Sequence, residues 1–293
     1  MNIIYRYITP MIVLFFAISF LSCVVKPADT ESHVSGVKKL YIMDCGYITA
    51  NDLSIFSSEG LYKGETKELV DTCYLIEHEK GILLWDAGLS DSLAGKGPVE
   101  AGGGAFTLEV KKTLASQLEE IGVKPEDVEY ISFSHMHFDH TGNANYFTGS
   151  TWLTPQAEYD TAWGPREKAE MLFFAPDSYS ALKNSKTIKY EGDYDVFGDG
   201  SVKILAAPGH TPGSQVLLLK LNETGPVILG GDLYHFTENR TYRRVPAFNF
   251  DIEQSKTSIE RIEDITAKEK AKFIIQHDKE QHAELDYAPK FLK

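Results

Sequence analysis

The chain has 293 residues, 43% of them hydrophobic and 24% charged, enough apolar material for one large domain or two small ones. Its formal net charge is −13. Nucleic-acid binding relies on Lys and Arg to neutralise phosphates, so this balance excludes that class of partner. The lysines are scattered, and the only compact basic group is RTYRR, Arg240 to Arg244.

The N-terminus, MNIIYRYITPMIVLFFAISFLSC, carries Arg6 and then an apolar run from Met11 to Leu21. That run falls short of the roughly 20 residues of a membrane span and reads as a secretory signal. Ser22 directly before Cys23 resembles a bacterial lipoprotein signal, cleaved before Cys23 with lipid on its sulfur. The expected organisation is a signal over 1–22, a flexible polar tether over 23–37 and one folded domain over 38–293. The expected location is the periplasm or outer membrane, with membrane contact through lipidated Cys23. Cys45 and Cys73 then remain. An exported compartment permits a disulfide between them, but sequence gives no distance, and two buried free thiols are the expected state.

VKKLYIMDCGYI (37–48) alternates as a first strand. DTCYLIEHEKGILLWDAG (71–88) is a hairpin turning at HEKG, and Asp86-Ala87-Gly88 ends its second arm. The Gly-rich SDSLAGKGPVEAGGGAF (90–106) has no periodicity and reads as a mobile loop, with Gly95–Gly104 either a lid or simple disorder. TLEVKKTLASQLEEIG (107–122) places Leu108, Leu114, Leu118 and Ile121 on one helical stripe, with Gly122 as a stop. VEYISFS is a short buried strand. Further strands are expected at Thr151–Leu153, Tyr194–Phe197, Val202–Ala206, Gln215–Lys220, Pro226–Leu229 and in AKFIIQHD (271–278). A helix covers DIEQSKTSIERIEDITAKEK (251–270). Strands followed by helices in two halves suit two sheets packed face to face with helices outside.

The chemistry concentrates where apolar strands end. FSHMHFDHTGN, Phe133 to Asn143, holds His135, His137, Asp139 and His140 within six residues. His135 and His137 point the same way in an extended chain, and the chain turns at Asp139 and His140. One metal cannot easily use all four side chains of so short a segment, whereas two metals can share them. The further ligands two metals need stand in matching settings: His210 in AAPGHTPGS, Asp232 in VILGGDLYH and His277 in FIIQHD, each at the mouth of an apolar strand. His33, His78 and His282 share no such setting and are assigned no chemistry.

H-x-H-x-D-H followed by His, Asp and His in that order resembles the metallo-β-lactamase fold superfamily. The resemblance implies an α+β four-layer αβ/βα sandwich, two packed mixed β-sheets flanked by helices. It implies that His135, His137 and His210 hold one divalent metal and that Asp139, His140 and His277 hold the other, with Asp232 bridging. Zn2+ suits the mixed His and carboxylate donors, as do Fe2+, Mn2+ and Co2+. Asp232 argues against a true class B β-lactamase, the acidic charge against a nuclease, and the sixteen residues after His277 against a glyoxalase II-type thioesterase.

Over roughly Lys39 to Asp278 the chain resembles the N-acyl homoserine lactonase family. The segments that carry this are LYIMDCG, ELVDTCYLIEH, LLWDAGL, FSHMHFDHTGNANYF, DVFGDGSVKIL with APGHTPGSQ, GGDLYHF and IQHD. The implied reaction is opening of a small-molecule lactone ring by a bridging hydroxide, with Asp139 orienting it and carrying a proton to the leaving group. Other carboxylic-ester, thioester or β-lactam hydrolysis on the same site is the alternative. Several members carry a tyrosine three residues after the bridging aspartate, bonded to the substrate carbonyl. Here that position is His235, and Tyr234 lies one residue earlier. A protonated His235 is the expected donor, with Tyr234 the alternative. Phe106, Tyr146, Phe147, Trp152, Trp163, Phe173 and Phe174 are candidates for an acyl pocket, at least half of them expected to be ordinary core.

Overall fold

The computed structural model of the protein describes Met1 and residues 35–293. The expected signal after Met1, Cys23 and all but the last three residues of the expected tether lie outside the described residues. Those three already belong to the fold. The Ser35 N–H donates to Asn222 Oδ1 at 2.9 Å, and buried Val37 opens the first strand. Among the described residues no helix is long and apolar enough to cross a membrane.

β1 (Val37–Ala50) and β2 (Lys67–His78) form a long antiparallel pair, and β3 (Gly81–Trp85) closes the expected hairpin on β2. β4 (Val99–Ala101) and β5 (Phe106–Glu109) extend the sheet beyond β1, and α1 (Leu114–Glu120) follows. β6 (Tyr130–Ser132), α2 (Phe138–Thr141), β7 (Thr151–Pro155), α3 (Gln156–Ala162), α4 (Arg166–Met171), α5 (Pro176–Tyr179) and β8 (Thr187–Tyr190) complete the first half. This eight-stranded sheet has the order β4-β5-β1-β2-β3-β6-β7-β8. The second sheet is built from β9 (Tyr194–Asp195), β10 (Val202–Ala206), β11 (Gln215–Leu221), β12 (Gly225–Leu229) and β13 (Lys272–Ile274), in the order β13-β12-β11-β10-β9. α6 (Thr237–Tyr242) and α7 (Ile252–Glu269) lie between β12 and β13, and α8 (Lys279–His282) follows β13.

Side chains alternate across each strand, which gives each sheet two apolar faces. Leu40, Ile42, Ile76 and Leu83 of one sheet meet Ile204, Leu217, Leu219 and Val227 of the other in the central core. Tyr41, Met43, Leu75 and Ile131 pack outward against Leu114, Leu118 and Tyr179. Leu218 and Ile228 pack outward against Ile259 and Ile262 of α7. The result is the expected four-layer sandwich of two mixed sheets flanked by helices.

Three readings from sequence are corrected. The Gly-rich 90–106 stretch is folded, with β4 and β5 paired antiparallel around glycines 102–104, whose positive φ angles turn the chain. The helix expected over 107–122 begins only at Leu114. Residues 106–109 pair with β1 instead, while the Thr113 side chain caps Ser116 N and the Asp91 carboxylate accepts from Leu114 N and Ala115 N. Cys45 and Cys73 are not free thiols but a disulfide with Cα atoms 5.9 Å apart. The β1–β2 register pairs Met43 with Cys73, and a bulge between Asp44 and Gly46 brings Cys45 alongside. Gly88 (φ +61°) crosses directly over this bridge, where a Cβ would lie 2.3 Å from Cys45 Cβ. β8, unanticipated, adds a further parallel edge strand, and the strand expected over 194–197 pairs only at 194–195.

Candidate metal centre

β3 and β6 run parallel, as do β12 and β13, and β10 has the same direction as β12 because each is antiparallel to β11. Their C-terminal ends therefore gather at one edge of the sandwich. β6 delivers His135 and His137. The chain is still extended at His137 (φ −65°, ψ 161°), then turns into α2 with Asp139 and His140. The ends of β10, β12 and β13 deliver His210, Asp232 and His277.

All seven are buried and form two groups, His135, His137, His210 and Asp232 in one and Asp139, His140 and His277 in the other. His210 Nε2 lies 3.2 Å from both His135 Nε2 and His137 Nδ1. Asp232 divides its carboxylate between the groups. Oδ2 is 3.3 Å from His210 Nε2 and 3.7 Å from His135 Nε2, whereas Oδ1 is 3.0 Å from His277 Nε2 and 3.2 Å from His140 Nε2. Asp139 Oδ2 is 3.9 Å from both His140 Nε2 and His277 Nε2.

Outer hydrogen bonds decide which nitrogen each ring points inward. His277 Nδ1 donates to the Val70 carbonyl at 2.7 Å, His140 Nδ1 to Asp86 Oδ2 at 3.1 Å and His210 Nδ1 to Asn249 Oδ1 at 2.8 Å. In each neutral ring Nε2 is then a lone pair aimed at the carboxylates and other imidazoles. His140 Nε2 is fully buried and makes no well-aligned hydrogen bond, although Asp232 Oδ1 lies 3.2 Å away. Converging buried lone pairs of this kind are reconciled by divalent cations, so the donor set fits two metals.

The two halves differ electrostatically. Burial, and then the neighbouring histidines, hold His135 and His137 well below the ordinary imidazole range. In the other half burial also disfavours charge, but Asp232, Asp86 and Asp139 outweigh it and raise His140. Asp232 and Asp139 likewise raise His277 to about 9 against burial. Asp232 is pushed up by burial yet ends well below the usual carboxylate range because His277, His140 and His235 surround it.

The centre forms the floor of a narrow cavity. Ile48, Ile55, Phe56, Leu69, Phe106, Phe138, Phe173 and Phe248 supply its apolar wall, and His137, Asp139, Asp232, His235 and His277 its polar face. Of the seven aromatic pocket candidates only Phe106 and Phe173 line it. Phe147, Trp152 and Phe174 are core, Trp163 packs against that core, and Tyr146 is exposed elsewhere on the surface. The other wall residues come from distant segments with no shared sequence signal.

His235 faces the cavity with Nε2 3.0 Å from Asp232 Oδ2, and Phe56 meets its ring edge-on at 4.8 Å. Burial pulls its pKa down to about 4 despite Asp232. Tyr234 is fully buried, with its hydroxyl bonded to Glu263 at 3.2 Å.

Two buried carboxylates escaped the sequence reading. Asp86, in WDAG at the mouth of β3, shares the setting of the ligands. It accepts from Ser134 N at 2.6 Å as well as orienting His140. Glu158 on α3 accepts from Met136 N, Thr211 Oγ1 and Gly213 N, partners too remote in sequence to signal it. Burial raises its pKa to about 6 against these bonds.

The metallo-beta-lactamase superfamily profile matches residues 67–277. An N-acyl homoserine lactonase of Bacillus sp is 32% identical over 261 residues, covering 87% of this chain and 99% of that protein. N-acyl homoserine lactonase AttM of Rhizobium radiobacter is 27% identical over 260 residues, covering 86% and 98%. The fold matches an N-acyl homoserine lactone hydrolase solved with the product N-hexanoyl-L-homoserine at its catalytic metal centre. The TM-score is 0.76 at 30% identity, over 87% of this chain and 99% of that one. The chain therefore belongs to the metallo-beta-lactamase superfamily and, within it, to the N-acyl homoserine lactonase family.

Proposed function

We propose that the protein is a dinuclear-metal hydrolase that opens the lactone ring of N-acyl homoserine lactones, a quorum-quenching activity. The observation that carries this reading is the division of the Asp232 carboxylate between two groups of buried ligands on the floor of a phenylalanine-walled cavity. His135, His137, His210 and Asp232 would hold one divalent ion, and Asp139, His140, His277 and Asp232 the other, with Zn2+ the ion that best suits these donors. When bound, such a pair supplies a water acidified to near neutrality and an electrophile for the lactone carbonyl.

The chain's own residues do the rest. Water oxygen joins the carbonyl carbon, the ring C–O bond breaks, and the ring oxygen leaves with a proton. Asp139 has a carboxylate oxygen to spare for carrying that proton. His235 stands at the cavity face, and once the Asp232 carboxylate holds the ions its Nε2–H is free to donate the hydrogen bond to the carbonyl oxygen that we assign it. The phenylalanine wall excludes water and accepts an acyl chain.

We further infer export and a lipid anchor at Cys23. The buried Cys45–Cys73 disulfide supports an oxidising compartment. Replacing Cys23 by Ala should move the protein from the membrane to the soluble fraction, and unchanged fractionation would remove the anchor.

The test of activity follows proton release from N-acyl homoserine lactones of varied chain length, with metal content determined. About two ions per chain and chelator-sensitive ring opening are expected. Two ions without lactone turnover would overturn the substrate assignment.

A further inference from the structure

We propose that Glu158 is the positioning residue for the His135–His137–His210 half of the centre, so that loss of its carboxylate costs that half its ion while the other half keeps its own. The inference rests on the dinuclear reading above.

The geometry is specific to one half. Glu158 is 2% exposed. Its Oε1 accepts the backbone N–H of Met136 at 2.9 Å, and Met136 is the residue between His135 and His137. Its Oε2 accepts Gly213 N–H at 2.8 Å, and Thr211 Oγ1 donates within 3.0 Å of both oxygens. Thr211 directly follows His210. One carboxylate therefore ties the β6–α2 segment to the β10–β11 segment, and these carry the three histidines. The approach is close: a Cβ on Gly213 would lie 2.6 Å from Glu158 Cβ. Glu158 is not among the cavity-lining residues, so it acts through the ligands and not on substrate.

The other half is held by different groups, His140 by Asp86 and His277 by the Val70 carbonyl. Glu158 bonds Met136, Thr211 and Gly213, which flank His135, His137 and His210, and makes no hydrogen bond to a residue adjoining Asp139, His140 or His277. Its charge also complements an ion whose own ligands are three neutral imidazoles and a shared carboxylate, which leaves that ion more dependent on a nearby anion. A glutamine cannot replace it. One oxygen faces the Met136 N–H and the other the Gly213 N–H, so either amide orientation sets a buried N–H against a backbone N–H.

The test titrates the full-length chain with zinc in zinc-buffered solution. The parent should hold two ions. Glu158→Gln should hold one at parental affinity and the second about 10- to 100-fold more weakly, the usual cost of losing an outer-sphere partner. Its kcat should fall at limiting zinc with KM unchanged and recover as free zinc is raised, a rescue that general misfolding would not show. Thr211→Val, which removes one donor and leaves both backbone bonds, should weaken the same single ion less, and it decides the matter if Glu158→Gln does not fold. Two ions at parental affinity in the variant, or equal weakening of both, overturns the inference alone. Fewer than two ions in the parent overturns the dinuclear reading and this inference with it.

Discussion

Tyr234 and His235 are adjacent in the chain and face opposite ways, the tyrosine hydroxyl 3.2 Å from Glu263 and the histidine Nε2 3.0 Å from Asp232 Oδ2. The backbone at Tyr234 is extended (φ −145°, ψ 146°), so consecutive side chains alternate. One enters the layer under α7 and the other the cavity. His235→Phe should therefore lower kcat by about 100-fold, the scale of losing one oxyanion donor. Tyr234→Phe should leave kcat near parental and cost about 1 kcal/mol of stability, the usual net worth of one hydrogen bond. Steady-state kinetics beside urea unfolding checks both, and the reverse order would move the carbonyl contact to Tyr234.

His137 and Asp139 stand two residues apart and belong to different groups. His137→Ala should lose an ion and activity together. Asp139→Asn should retain at least one ion while kcat falls by about 100- to 10,000-fold, the range for a positioned proton carrier. Metal analysis alongside kinetics separates the two effects. Full activity in His137→Ala would remove the site assignment.

The disulfide joins β1 to β2 beneath Gly88, across 28 residues of sequence. Closing a loop of that length should contribute about 3.5 kcal/mol by restricting the unfolded chain. Urea unfolding of the Cys45→Ala, Cys73→Ala double variant should show a midpoint lowered accordingly. Parental and variant curves that coincide would mean the bridge is dispensable for stability.

A pH-dependent contribution is expected far from the centre. His78, the last residue of β2, stacks on Phe197 with ring centroids 3.9 Å apart, and its Nε2 meets Asp199 Oδ2 at 2.9 Å. Partial burial pushes Asp199 up, but hydrogen bonds from Ser201 and the His78 charge prevail and lower it to about 2. A carboxylate depressed in the folded state stabilises above its unfolded pKa, and that stability fades as pH falls through the folded value. The stability gap between parent and Asp199→Asn should be full above about pH 4 and should close toward pH 2. Denaturant midpoints measured across that range are the check, and a constant gap would contradict the assignment.

The sequence by itself singled out the seven side chains that converge, because each stands at the end of an apolar strand and that setting is local. Asp139 and His140 lie in the same short segment as His135 and His137, while His210, Asp232 and His277 repeat the context. The same locality made the hairpin around HEKG, the long helix ending near Glu269 and strands such as Val202–Ala206 legible from periodicity alone. What required tertiary structure were relations between segments far apart in the chain. The helix expected over 107–122 lost its first turns because β1 offered residues 106–109 a pairing edge. The two cysteines met because of a register and a bulge. The choice between Tyr234 and His235 depended on which layer each side of one extended residue faced. Glu158 drew its importance from donors at Met136, Thr211 and Gly213. Burial and hydrogen-bond satisfaction are properties of the assembled layers. A residue whose role is to join two loops therefore carries no local pattern, whereas a residue at the mouth of a strand does.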